Sequence, residues 1–102
     1  MKRVIWTKPA LRDLAGHVEY IAPFNPQAAA DLVERIMRAG SGLALFPNRG
    51  RAVYGGFREL ASLRPYIIVY KVELDVIRIL RVWHGAQDRT DGMAEEQAEL
   101  TA

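Results

Sequence analysis

The chain reads as an α+β fold in the order strand, helix, helix, strand, strand, strand. A helical hairpin is expected on one face of a mainly antiparallel four-stranded sheet. Three observations carry this reading. Apolar residues recur at three- and four-residue steps from Leu11 to Leu43, which is the period of a half-buried helix. The runs YIIVYKV at 66–72 and VIRILRVW at 76–83 are rich in β-branched and aromatic residues, as strands are. Only Glu73, Leu74 and Asp75 separate those two runs, so they pair as an antiparallel hairpin.

Residues 2–6, KRVIW, form the first short strand by composition. Thr7 then precedes Pro9; a threonine hydroxyl accepts an orphan amide, and proline is tolerated in a first turn. Leu11, Leu14, Val18 and Ile21 share one stripe, which predicts a helix over about 8–22, with Asp13, His17 and Tyr20 off the stripe. Asn25-Pro26 repeats the start signal. A second helix runs to about 45 on Ala29, Leu32, Val33, Ile36, Gly40 and Leu43. Gly40 and Gly42 each cost about 1 kcal/mol against alanine there, and mark either a close helix crossing or early fraying. The stretch FPNRGRAVYGG is read as loop, followed by a strand at 56–62. Pro65 lacks an amide hydrogen and belongs at a turn.

Strict alternation puts Tyr66, Ile68, Tyr70 and Val72 on one side of the sheet and Ile67, Val69 and Lys71 on the other. The last strand divides into Val76, Arg78, Leu80 and Val82 against Ile77, Ile79, Arg81 and Trp83. Both faces come out largely apolar, yet one pair of helices covers only one face. The second face is therefore expected to need another polypeptide.

A chain of 102 residues that is 50% hydrophobic suits one domain with its own core. Cysteine is absent, which removes disulfides, thiolate chemistry and Cys-ligated zinc, and fits a cytoplasmic protein. No apolar run reaches membrane-spanning length and no secretory signal is read at the N-terminus. Residues 1–87 carry 13 Lys/Arg against 7 Asp/Glu, whereas residues 88–102 carry one Arg against five acids. A basic body with an acidic tail suits nucleic acid or an acidic protein surface as partner.

His84 is the first residue with chemistry to offer, because imidazole titrates near neutrality. Arg78, Arg81 and Arg89 lie close to it in sequence and Trp83 beside it. Arg58 and Arg64 bracket the strand at 56–62; Arg64 is read either as an anion ligand or as a partner for Glu59. Arg49 and Arg51 flank Gly50 in a turn that could cradle a phosphate, without a P-loop pattern. No metal-ligand spacing and no cofactor fingerprint occurs, His17 and His84 each standing alone in the sequence.

The pieces VIWTKPALRDL at 4–14, EYIAPFNPQAAADLVERI at 19–36, FPNRGR at 46–51, FREL at 57–60 and PYIIVYKV…VIRILRVWHGAQDR at 65–89 together resemble the RelE/ParE superfamily of type II toxin–antitoxin toxins. The match looks closest to the ParE branch. The resemblance implies a toxin domain over 1–89, with the acidic tail 90–102 disordered or ordered by a partner. It also implies neutralisation by a ParD-like antitoxin in a heterotetramer or larger complex, the antitoxin seated on the uncovered sheet face, helix surfaces and groove beside them. ParE-like members poison DNA gyrase and need no catalytic residue. Contacts to the target or partner would then come from Arg49, Arg51, Arg64, Arg78, Arg81, Trp83, His84 and Arg89, with DNA touched only through antitoxin or gyrase. RelE-like members instead cleave mRNA, and that reading uses Arg58, Arg64, Arg81 and His84. The tyrosine such members place just after this histidine is absent, since Gly85, Ala86, Gln87 and Asp88 follow. A third reading is a non-catalytic partner or co-repressor acting with the antitoxin.

Overall fold

Thr7 sets the first corner of the molecule. Its hydroxyl accepts the Ala10 amide at 3.4 Å and so caps a helix, while the same hydroxyl donates to the Ile79 carbonyl at 2.8 Å. One side chain thus ends a strand, starts a helix and ties both to the last strand of the sheet. The computed structural model describes residues 1–85. Its elements are β1 (Arg3–Trp6), α1 (Lys8–Ile21), α2 (Pro26–Gly42), β2 (Arg51–Val53), β3 (Phe57–Leu63), β4 (Tyr66–Val72) and β5 (Val76–His84). Asn25 caps α2 by accepting the Ala28 amide at 3.0 Å, and both helices carry proline in the first turn.

The sheet has five strands in the order β1-β5-β4-β3-β2. Four were expected; β2 is the addition. It spans only three residues between Gly50 and the Tyr54-Gly55-Gly56 turn, too short for alternation to show. Gly55 and Gly56 take positive φ, 88° and 80°, the region where a β-carbon clashes and glycine is favoured. β1 runs parallel to β5 and every other pairing is antiparallel.

α1 and α2 cover one face. Leu14, Leu32, Ile36 and Leu43 meet Leu60, Ile68, Tyr70, Ile77, Ile79 and Val82 there. The alternation expected for β4 is observed, but that for β5 is not. Val69 lies opposite Arg81 while Tyr70 lies opposite Ile79, leaving Leu80 without a partner. This bulge shifts the pleat by one residue. Ile79 and Val82 consequently share the helix-side core, while Leu80 and Trp83 join Phe57 and Val69 in a second cluster.

That second cluster corrects the expectation of a bare face. Phe57, Val69, Leu80 and Trp83 are 2–4% exposed, with Val53 and Ile67 packed against them. Both sides of the sheet are buried in the chain itself, so a surplus apolar face cannot argue for a partner. Ile68 and Leu80, at 1% and 4% exposure, are core residues; a charge there would unfold the chain rather than report on binding.

Gly40 marks a close approach, but to a strand rather than to the other helix. A β-carbon there would lie 2.4 Å from the Trp6 ring and 2.8 Å from Ile79 Cδ1, whereas one at Gly42 meets nothing within 4 Å. Gly40→Ala is expected to lower stability in urea unfolding by about 1–3 kcal/mol through overpacking. Gly42→Ala is expected to leave it unchanged or raise it by up to about 1 kcal/mol.

Candidate functional site

β5 outruns its neighbour. β1 pairs with it only as far as Trp6–Ile79, leaving the backbone from Leu80 to His84 without a strand on that side. Such groups are costly to leave unpaired, and α1 supplies the partners. Asp13 Oδ2 accepts the Val82 amide at 3.0 Å, and His17 Nε2 lies 2.8 Å from the Val82 carbonyl. A carbonyl only accepts, so His17 carries its proton on Nε2 in this arrangement. Thr7 adds its own amide to the Ile79 carbonyl at 3.0 Å. Asp13 and His17 are one helical turn apart and off the apolar stripe, which brings them onto the same strand edge.

Arg81 closes this arrangement. Its Nε and Nη2 donate to the two oxygens of Asp13 at 2.7 and 2.9 Å, with the side chains only 12% and 17% exposed. A two-pronged, largely desolvated pair of this kind orients both groups strongly. Beside it, the His17, Tyr66 and His84 rings cluster, with centroids 5.1, 5.3 and 6.1 Å apart. Tyr66 faces His84 across the hairpin, and burial raises its phenol pKa, so it stays protonated near neutrality. The two histidines, far apart in sequence, thus share one corner. Among the described residues, no three His, Cys, Asp or Glu side chains group as metal ligands.

The remaining candidates are dispersed. Arg58 donates to the Gly50 carbonyl at 2.8 Å. There it steadies a loop that Tyr70 also holds, the phenol accepting the Gly50 amide and donating to the Pro47 carbonyl, each at 2.8 Å. Arg51, not Arg64, pairs with buried Glu59, at 3.1 Å. Arg64 is exposed in the β3–β4 turn, where it lines a pocket with Arg51, Glu59, Ala61, Pro65, Ile67 and Gly85, the residue after His84. Ile67 belongs to the second cluster, on the sheet face away from the helices, whereas Tyr66 packs against the helix-side core. Arg58 and Arg81 are thus each engaged by another group, while Arg64 stands in a turn whose Pro65 carbonyl accepts the Gly85 amide at 2.8 Å. Arg78 is held by Glu73 through two 3.1 Å bonds. Trp83 is 2% exposed, so it offers no surface for stacking or docking; its Nε1 finds no hydrogen-bond partner. Arg49 is exposed on the loop after α2. Arg89 and the tail lie outside the described residues.

Sequence reasoning missed Asp13, His17 and Tyr66 as members of the corner. The four-residue step from Asp13 to His17 was the available signal. Tyr66 gave none, because the bulge at Leu80 decides that it faces His84.

The sequence model of the family described as "ParE toxin of type II toxin-antitoxin system, parDE" matches residues 4–89. The chain belongs to the ParE toxin family. It is the toxin of a type II toxin–antitoxin system, and its partner is an antitoxin. Toxin RelE2 of Caulobacter vibrioides is 39% identical over 87 residues, covering 85% of this chain and 99% of that one. Toxin RelE1 of the same organism is 30% identical over 83 residues, covering 78% and 89%. The solved structure of the chromosomal ParDE TA system from P. aeruginosa superposes with a TM-score of 0.74 at 25% identity. It covers 84% of this toxin and 98% of that chain, and its likeness supports the helical hairpin-on-sheet fold found here. Among the described residues, no helix of the toxin is long and apolar enough to cross a membrane.

Two outcomes follow for the toxin. Asp13→Ala should cost about 3 kcal/mol in urea unfolding, because it strands the Arg81 charge and the Val82 amide together. The cost should fall in the Asp13→Ala/Arg81→Ala double variant. The Arg78 hydrogen bond holds the Glu73 carboxyl below its ordinary 4.5. Its stabilisation is present above that value and is lost as pH falls through the lowered one. Both side chains are over a third exposed, so Glu73→Gln should flatten the acid limb of the stability curve by only a few tenths of a kcal/mol, roughly.

Proposed function

We propose that this toxin acts by binding rather than by catalysis, as a ParE-like inhibitor of DNA gyrase in the cytoplasm. Its cognate antitoxin neutralises it in a heterotetramer or larger complex, and DNA is contacted only through antitoxin or gyrase. One observation carries the reading: two of the three arginines that an RNA-cleaving site would need are engaged elsewhere. Arg81 is locked on Asp13 and Arg58 on the Gly50 carbonyl, which among the described residues leaves Arg64 alone of the three without such a hold. Cleaving a phosphodiester requires base, acid and phosphorane stabiliser to converge within hydrogen-bond reach of one phosphate. The exposed Arg49, Arg51, Arg64 and His84 remain as contact candidates for the target, and the ParE family model supports the branch.

One observation favours the ribonuclease alternative. Tyr66 stands beside His84 and His17, supplying from β4 the phenol that the sequence after His84 lacks. Purified toxin distinguishes the two. Loss of supercoiling activity with gyrase, without RNA cleavage in a translation extract, is the expected result; cleaved RNA with intact supercoiling would reverse the assignment. Tyr66→Phe and His84→Ala sharpen the comparison. A ribonuclease using them as acid and base should lose about 10²–10⁴-fold in rate, whereas a docking surface should weaken in graded steps.

A further inference from the structure

α2 ends at Gly42, and Leu43 is its last buried anchor, at 0% exposure. The next apolar residues turn outward: Leu45 and Phe46 are each 65% exposed, and Leu74, in the β4–β5 turn, is 86% exposed. These are not loose ends. The Leu45 and Phe46 amides both donate to the Gly42 carbonyl at 3.2 Å, the Arg49 amide donates to Phe46, and Tyr70 holds the Pro47 carbonyl. On the other side, Lys2 Nζ bonds the Glu73 and Leu74 carbonyls, fixing the turn that carries Leu74.

Two clefts meet at this end of the molecule and share Leu45 and Pro47. One, about 700 Å³, lies between residues 1–3, Leu45 and Leu74. The other, about 580 Å³, is walled by Leu45, Phe46, Pro47, Asn48 and Arg49. Each is large enough for several apolar side chains. Apolar groups displayed on a hydrogen-bonded turn need little ordering when something docks on them.

We infer that the groove formed by Leu45, Phe46, Pro47 and Leu74 holds an apolar, acid-flanked segment of the antitoxin. Charge selects this occupant. Lys2, Arg3 and Arg49 line the clefts against the single carboxylate of Asp75. A second copy of the toxin would bring the same positive rim against itself, a like-charge contact that costs affinity. The toxin's own acidic C-terminal segment is the competing occupant, and the melting temperature of the free Phe46→Glu toxin tells the two apart. The inference rests on the antitoxin partnership and not on the gyrase target.

The test is calorimetric titration of the full-length toxin with its cognate antitoxin, alongside thermal unfolding of the toxin alone. Phe46→Glu should weaken the complex about 30-fold or more, as loss of a central anchor does. Arg3→Glu should weaken it about fivefold at low ionic strength, and less at high salt. Phe24→Glu, at a site 84% exposed in the α1–α2 turn, should change nothing. The free toxin carrying Phe46→Glu should melt at the wild-type temperature. An antitoxin Kd within twofold of wild type for Phe46→Glu overturns the inference. So does a lowered melting temperature of the free Phe46→Glu toxin, since its own chain would then fill the groove, or loss of self-association with antitoxin affinity intact. The gyrase reading is judged separately: if it is right, Phe46→Glu toxin still inhibits supercoiling but antitoxin no longer relieves it. If wild-type toxin leaves supercoiling untouched, that reading fails while the affinity comparison stands.

Discussion

The last strand of this toxin is longer than the strand beside it, and the difference has to be made up by something other than a strand. α1 does so with side chains. Thr7 at its cap, Asp13 and His17 take the Leu80 and Val82 carbonyls and the Val82 amide, which β1 cannot reach, so the first helix acts along Leu80–His84 as a discontinuous sixth strand. This arrangement fixes the angle at which α1 crosses the sheet, and with it the apolar stripe that Leu14 and Val18 lay on Ile77, Ile79 and Val82. It also demands a carboxylate in a partly buried place. Arg81 answers that demand and is thereby removed from the pool of available charge.

That removal shapes the functional reading. A basic body suggests phosphate chemistry when counted from composition, but charge counted is not charge offered. Arg78 answers Glu73, Arg51 answers Glu59, Arg58 answers a backbone carbonyl and Arg81 answers Asp13. Arg58 and Arg81 are thereby structural ligands of this fold, whereas Arg51, though paired, is 67% exposed and keeps a surface to offer. The corner of His17, Tyr66 and His84 keeps the vocabulary of acid and base, while the guanidinium beside it, Arg81, is held by a carboxylate. Binding through exposed side chains, with the apolar end around Phe46 as a separate surface, asks less of the site than catalysis does.

Element order was legible because each signal is local. Thr7 before Pro9 and Asn25-Pro26 are caps whose partners lie three residues on, and both helices begin where those residues place them. The three-residue turn after Val72 likewise fixed a hairpin. What the sequence hid is what depends on distant partners. Asp13 meets Arg81 across 68 residues, and nothing near either one announces the pair. β2 is three residues long and flanked by glycines, so no period could reveal it. The bulge at Leu80 breaks an otherwise regular alternation inside a run whose composition looks uniform; it moves Leu80 and Trp83 away from the helices and sets Tyr66 against His84. Burial of the second face was misjudged for a similar reason, since alternation says which residues share a face and not how closely that face is covered.

The claim that α1 substitutes for a strand along the end of β5 is tested most directly by amide hydrogen exchange at Val82. On this account its amide exchanges in wild type as slowly as amides paired inside the sheet, although no strand lies on that side. Replacing Asp13 with alanine should then speed Val82 by more than it speeds the amides of β3. A Val82 amide that exchanges rapidly in the wild-type toxin, or one indifferent to the loss of Asp13, would contradict it.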